Sequence, residues 1–228
     1  MLANILQLPM TWLTITLGAY LLGLKLYQSL NQASWLPPVL SGFLIVTFLL
    51  WLTETPYSTY EQGGQLLSFF LGPVVVGLAV PLFHHFHQMR KQLFMILAAI
   101  ITGSLTTVVV AVALTHYWIG IDAITTTMAS KSVTTPVAVA ITEQTQGIPA
   151  LAAAFVMVTG IIGAAIIPLL LKLLKLDSPQ TTGIALGICA HAVGTSRAIE
   201  LGQEYAAYSA MAMTLTASLH AIVLPWLL

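Results

Sequence analysis

The sequence predicts an all-α polytopic membrane protein: about six full transmembrane helices plus two opposed re-entrant, discontinuous helical hairpins, with an inverted repeat in the C-terminal half. Three observations lead there. Of 228 residues, 58% are apolar and 6% charged, whereas a soluble domain carries roughly 25% charge, so this chain cannot cover a water-facing surface. Runs at 8–27, 35–52, 65–83, 93–116, 149–174 and 206–228 approach or exceed the ~20 apolar residues that cross a bilayer. Two further stretches, 121–146 and 181–204, are moderately apolar but broken halfway by polar residues.

Taken in order, the first run lacks a basic leader and a small-residue cleavage site, so it reads as a retained span rather than a signal peptide. The second is short and stands nearly upright. The third contains "LGPVVVGLAVP", where Gly72-Pro73 and Pro81 predict kinks, because proline removes a backbone donor that neighbouring helices must compensate. The fourth, fifth and sixth runs are long and unbroken apart from Pro168 and Pro225.

Whether the broken stretches cross the bilayer or dip in and return is decided by charge, since cytoplasmic loops concentrate Lys and Arg. Lys25, Arg90 and Lys91 place the ends of spans one and three inside. If 121–146 returns to the outer side, Lys172 and Lys175 also fall inside; if it crosses, they face outward. The charges favour hairpins, with both termini outside and with Lys131 and Arg197 at the hairpin tips. The whole chain, 1–228, reads as one membrane domain. Spans up to 118 form a scaffold, and 119–174 and 179–228 are two hairpin-plus-span repeats.

The repeat is visible at an offset of sixty residues. Val133 falls on Val193, Thr135 on Thr195, Ala138 on Ala198 and Lys131 on His191; after a three-residue contraction, Thr159 falls on Thr216 and Pro168 on Pro225. Inverted repeats with discontinuous helices point to a secondary transporter.

The breaks carry the chemistry. In "MASKSVTTPVAVAI" the pair Thr135-Pro136 is a helix start, threonine as cap and proline in the first turn. "CAHAVGTSRAIELG" repeats the plan, with Gly194 freeing the turn and Thr195 capping. Half-helices of about ten residues rise about 15 Å, so each tip reaches the bilayer centre with its positive end forward. Lys131, Ser132, Thr134, Thr135, His191, Gly194, Thr195, Ser196 and Arg197 then line a dry pocket suited to a small carboxylate. A charge at that depth costs about 2.5–3.5 kcal/mol, so its default reading is functional. Two alternatives stay open: Lys131 could pair with Glu143 or Glu200, and Arg197 with Glu200 or Glu204 on its own helical face. Glu200 otherwise serves proton coupling.

Other classes find no support. Seven cationic and seven anionic residues leave no basic footprint for nucleic acid. A P-loop, GxSxG, HExxH or CxxC is not found, so the chain reads as neither enzyme nor ATP-driven pump, with no catalytic residue, metal or cofactor. "HHFH" at 84–87 reads as a solvated inner loop.

With these residues in hand, the chain resembles the LrgB/CidB family of bacterial membrane proteins, which includes the C-terminal half of the plastid glycolate/glycerate transporter. The resemblance rests on "LGPVVVGLAVPLF", "SKSVTTPVAVAITEQTQGIPAL", "TGIIGAAIIP" and "AHAVGTSRAIELGQE" and runs over nearly the whole chain. The stretch "QEYAAYSAMAM" departs from the family in being less acidic and less rich in glycine. The resemblance implies transport of small monocarboxylates such as glycolate, glycerate or pyruvate across the bacterial cytoplasmic (inner) membrane. It also implies a smaller LrgA/CidA-type membrane partner and a homo-oligomer, a dimer. The alternative it carries is a holin/antiholin-like protein that regulates murein hydrolase export and cell lysis.

Overall fold

The computed structural model describes residues 8–30, 36–77 and 79–228. Among them the chain forms ten helices: α1 (Pro9–Ser29), α2 (Pro38–Leu52), α3 (Tyr57–Gly77), α4 (Ala79–Lys91), α5 (Leu93–Trp118), α6 (Asp122–Ala129), α7 (Thr135–Gln144), α8 (Pro149–Leu173), α9 (Pro179–Leu201) and α10 (Gln203–Leu227). They form two compact units, α1–α3 and α4–α10. The sequence groups α5 with the earlier spans, but it packs with the second unit, against α6, α9 and α10. Three helices, α5, α8 and α10, are long and apolar enough to cross a membrane. At 25–26 residues each they rise roughly 37–39 Å, more than the ~30 Å hydrocarbon core.

In the first unit α1 packs on both α2 and α3. Gly23 lets α1 lie against Ser41 and the Pro38 carbonyl, and buried Trp12 meets Tyr60 edge-on at 5.9 Å. α2 has only 15 residues, and its predicted first residue, Trp35, lies outside the described residues. α3 holds Pro73 inside a continuous helix; Leu78, between the two predicted kinks, also lies outside them. The "HHFH" stretch differs from expectation. It is helical, within α4, whose last turn carries Arg90 and Lys91, where cations complement the helix dipole.

The second unit answers the question of hairpin or crossing. α9 is not one rod: His191 has φ 41° and ψ −127°, which breaks it into two arms. A methyl built on Gly194 would collide with the Leu186 carbonyl oxygen. Eight residues along a straight helix are about 12 Å apart, so the second arm folds back on the first. Arms of roughly 10–12 residues rise about 15–18 Å, half a bilayer.

α10 gives independent proof. A methyl on Gly183 would lie 2.7 Å from the Tyr205 carbonyl oxygen, and one on Gly187 would lie 2.7 Å from the Ala212 Cβ. The partners advance together, so the first arm and α10 run parallel and start at the same membrane surface. A crossing helix followed at once by α10 would run antiparallel to it. Gly202, at φ 143°, makes the immediate turn between them, a backbone region that side chains disfavour. Gly183 and Gly187 form a G-x-x-x-G stripe, and the small residues of "QEYAAYSAMAM" are what it needs to approach that closely.

The other hairpin closes the same way. α6 and α7 flank a tip at 130–134, and the Ile148 N–H donates to Thr127 Oγ1 at 2.8 Å across 21 residues. The start of α6 (Asp122, Ala123) and the end of α7 (Gln144–Gln146) line one crevice with Leu228. The C-terminus of α10 therefore shares a surface with this mouth, while its N-terminus shares one with the mouth of the α9 hairpin. The two hairpins enter from opposite faces.

Single cysteines in a Cys189→Ser background test this. At Gln146 and Lys175 they should label with an impermeant thiol reagent from opposite sides of the membrane. Labelling of both from one side would overturn the opposed arrangement.

Candidate functional site

The two tips meet at mid-span. The His191 Nε2 lies 3.0 Å from the Val156 carbonyl oxygen of α8. On α8, methyls at Gly160 and Gly163 would lie 2.6 Å from the His191 ring and 2.8 Å from the Ala190 Cβ. Val156 also packs in one buried cluster with Ala129 and Val133 of the α6–α7 hairpin, Val108 of α5 and Leu224 of α10. Val156 thus binds the second tip through its carbonyl and shares a buried cluster with the first.

Lys131 occupies the first tip. Its Nζ donates to Ser132 Oγ at 3.2 Å, and among the described residues no carboxylate stands in ion-pair distance of it. Glu143, a partner the sequence offered, is exposed. Lys131 lies instead within electrostatic reach of Cys189 and His191 on the second tip and of His220 on α10. Ser132 is buried. Thr134 and Thr135 begin α7, but the cap position belongs to Thr134, and its side chain makes no cap bond. Pro136 has no N–H, so the first turn offers the N–H groups of Thr135 and Val137 toward the tip.

The second tip differs from expectation in a definite way. The break falls at His191, not at Gly194-Thr195. Thr195 is not a cap: buried one turn into the arm, it donates to the His191 carbonyl at 2.9 Å and meets Ser209 Oγ of α10 at 2.9 Å. Gly194 is the contact between the arms. Ser196 is exposed and bonds back to the Ala192 carbonyl. Arg197 lies six residues beyond the break, about 9 Å down the arm, buried and 2.7 Å from Glu200 Oε2. That ion pair at i,i+3 is the alternative left open by the sequence. Glu204 lies in the first turn of α10, where an acid suits the helix N-terminus.

Sequence reasoning passed over three residues. Ser104, at the middle of α5, is fully buried with its Oγ 2.6 Å from His220 Nε2. Thr216 precedes His220 by one turn on α10 and is equally buried. Polar residues at i and i+4 in a span share one face, which is the signal that could have found the pair. Two crevices open at the surface of the second unit. One, of about 520 Å³, runs between α5 and α9 from Gln180 and Thr181 to Ile188 and Cys189; the other, of about 660 Å³, opens at the mouth of the first hairpin.

A family model described as LrgB-like family matches residues 16–228. Bacillus subtilis (strain 168) YxaC is 35% identical over 206 residues, 90% of this chain and 89% of its own. YwbG of the same strain is 32% identical over 217 residues, 95% of this chain and 96% of its own. Antiholin-like protein LrgB of Bacillus mycoides (strain KBAB4) is 31% identical over 218 residues, 95% of this chain and 94% of its own. Coverage this complete on both sides means the likeness spans both hairpins and the helices before them. No solved structure matches the chain.

Proposed function

This chain belongs to the LrgB-like family, and we propose that it is a secondary carrier of small monocarboxylates of the glycolate, glycerate and pyruvate kind, working by alternating access in a bacterial cytoplasmic membrane. The observation that carries this reading is Lys131, a cation without an acidic partner among the described residues, held where two opposed hairpins meet. An unneutralised ammonium at that depth favours an anion, and the N-terminal turn of α7 adds to the same field. A crevice at the mouth of the first hairpin and another along the first arm of the second are consistent with this reading. In this reading the hairpins and the spans that follow them move as the transport part against the earlier spans. In this reading Arg197 pairs with Glu200 along the second arm rather than touching the carboxylate.

A second reading is favoured by a different observation: the relatives named Antiholin-like protein LrgB support a holin/antiholin-like role in murein hydrolase export and cell lysis. Those names back this role more directly than they back carriage of a carboxylate. An LrgA/CidA-type partner and a homodimer are compatible with both.

Flux separates the two. Purified protein in vesicles should take up labelled pyruvate or glycolate saturably, and unlabelled substrate inside should accelerate uptake severalfold. Flux linear in concentration and indifferent to internal substrate would indicate a pore and remove the carrier reading.

A further inference from the structure

Hydroxyls in the helices of this protein, exposed or buried, commonly satisfy themselves by bonding back to the carbonyl one turn earlier. On α10, Thr214 donates to the Ala210 carbonyl at 2.8 Å and Ser218 to the Thr214 carbonyl at 2.9 Å. Thr142, Thr145 and Thr195 do the same in the hairpins. Thr216 lies between Thr214 and Ser218 and does not. Its Oγ1 is buried and, among the described residues, has no hydrogen-bond partner. One turn on, His220 spends Nε2 on Ser104, and its buried Nδ1 is likewise unpartnered. Two orphaned polar atoms on one face of one helix are costly, because each has lost its hydration without a replacement.

That face has a known orientation. Leu224, one turn beyond His220, and Val108, one turn beyond Ser104, belong to the same buried cluster as Val133 of the first tip. His220 itself lies within electrostatic reach of Lys131. The orphaned atoms therefore share a dry neighbourhood with the unneutralised cation.

We infer that Thr216 Oγ1 and His220 Nδ1 form a second subsite, which binds a hydroxyl or oxo oxygen on the carbon next to the carboxylate held by Lys131. This rests on the carrier reading and deepens it, by assigning to Thr216 and His220 the recognition of the C2 oxygen that glycolate, glycerate and pyruvate share. A hydroxyl that can donate and accept, beside an imidazole nitrogen that can do either, suits both 2-hydroxy and 2-oxo acids. A site with buried polar groups rejects an analogue that leaves them unpaired.

The test compares glycolate with acetate, which lacks only the C2 hydroxyl, in vesicle uptake and in ligand-dependent thermal stabilisation of the full chain. Wild type should prefer glycolate by about tenfold or more. Thr216→Val, which keeps shape and removes the hydroxyl, should bring the ratio close to one. His220→Gln retains an amide near the Nε2 position and loses Nδ1, so it should also lower the ratio; His220→Asn retains the Nδ1 position and should preserve more of it. Thr182→Val is the comparison, since Thr182 also has an orphaned buried hydroxyl but lies nine residues, about 13 Å, before the second tip. It should leave the ratio as in wild type. A ratio unmoved by both Thr216→Val and His220→Gln would mean the orphaned atoms hold only water, and the subsite would be refuted with the carrier intact. If wild type neither carries nor is stabilised by any carboxylate, both readings fall together.

Discussion

Lys131→Ala is expected to reduce uptake of labelled glycolate or pyruvate into proteoliposomes by about 100-fold or more. A hydrogen bond to a charged group contributes roughly 1.5–3 kcal/mol, and every 1.4 kcal/mol is a factor of ten. The upper part of that range applies here because Lys131 is partly buried and has no carboxylate among the described residues to compete with the substrate. Lys131→Arg keeps the charge but spreads it over a planar fork, so intermediate flux is expected. Stability moves the other way. Removing a partly buried charge relieves a desolvation cost, so Lys131→Ala should melt at or above the wild-type temperature. Wild-type flux in that variant, or a lower melting temperature with flux lost in proportion, would show that Lys131 serves the fold and not the substrate.

The second large effect concerns folding. Gly187→Ala should lower the melting temperature by roughly 5–10 °C, and Gly194→Ala should do the same. The added methyl at Gly187 meets the Ser209 carbonyl, the Ala212 Cβ at 2.7 Å and the Met213 nitrogen at 2.9 Å; at Gly194 it meets the Leu186 carbonyl. These are mostly backbone atoms, which cannot rotate away. Overpacking of this kind costs about 1–3 kcal/mol, and a domain of this size loses about 2–4 °C per kcal/mol. Gly18→Ala makes the opposite case, since a methyl there meets nothing within 4 Å. Alanine is the better helix former by roughly 0.5–1 kcal/mol, so Gly18→Ala should melt no lower than wild type. Equal shifts at all three positions would mean that helix propensity, not close packing, governs the response.

The two glycines also show where sequence reading stopped. Gly194 was legible as a residue that permits a turn near the second break, and the break itself was legible from the polar run "HAVGTSR". Its position three residues earlier, at His191, was not. Thr195 has the chemistry of a cap, but local chemistry is overruled when α10 offers Ser209 as a partner inside the packed helix. Arg197 was legible as a charge with two competing roles, and only the rotamer joining it to Glu200 distinguishes them. At the first break the prediction fell within one residue, Thr134 in place of Thr135 at the cap, because proline restricts the backbone without help from tertiary contacts.

The sequence alone determined that this protein lives in a bilayer, that two of its segments are interrupted there, and that Lys131 sits at one interruption. Each of these follows from hydropathy, charge and proline, which act on a segment wherever its neighbours are. Tertiary structure decided which interruption turns at which residue, and so that Arg197 lies down the second arm, paired with Glu200. It also decided that Ser104 and His220, on different helices, bond to each other, with Thr216 buried one turn away on the same face. Those outcomes depend on which helix faces meet. Whether a hydroxyl bonds back along its own helix or stays available to a ligand is a property of that meeting, and the order of residues along the chain does not carry it.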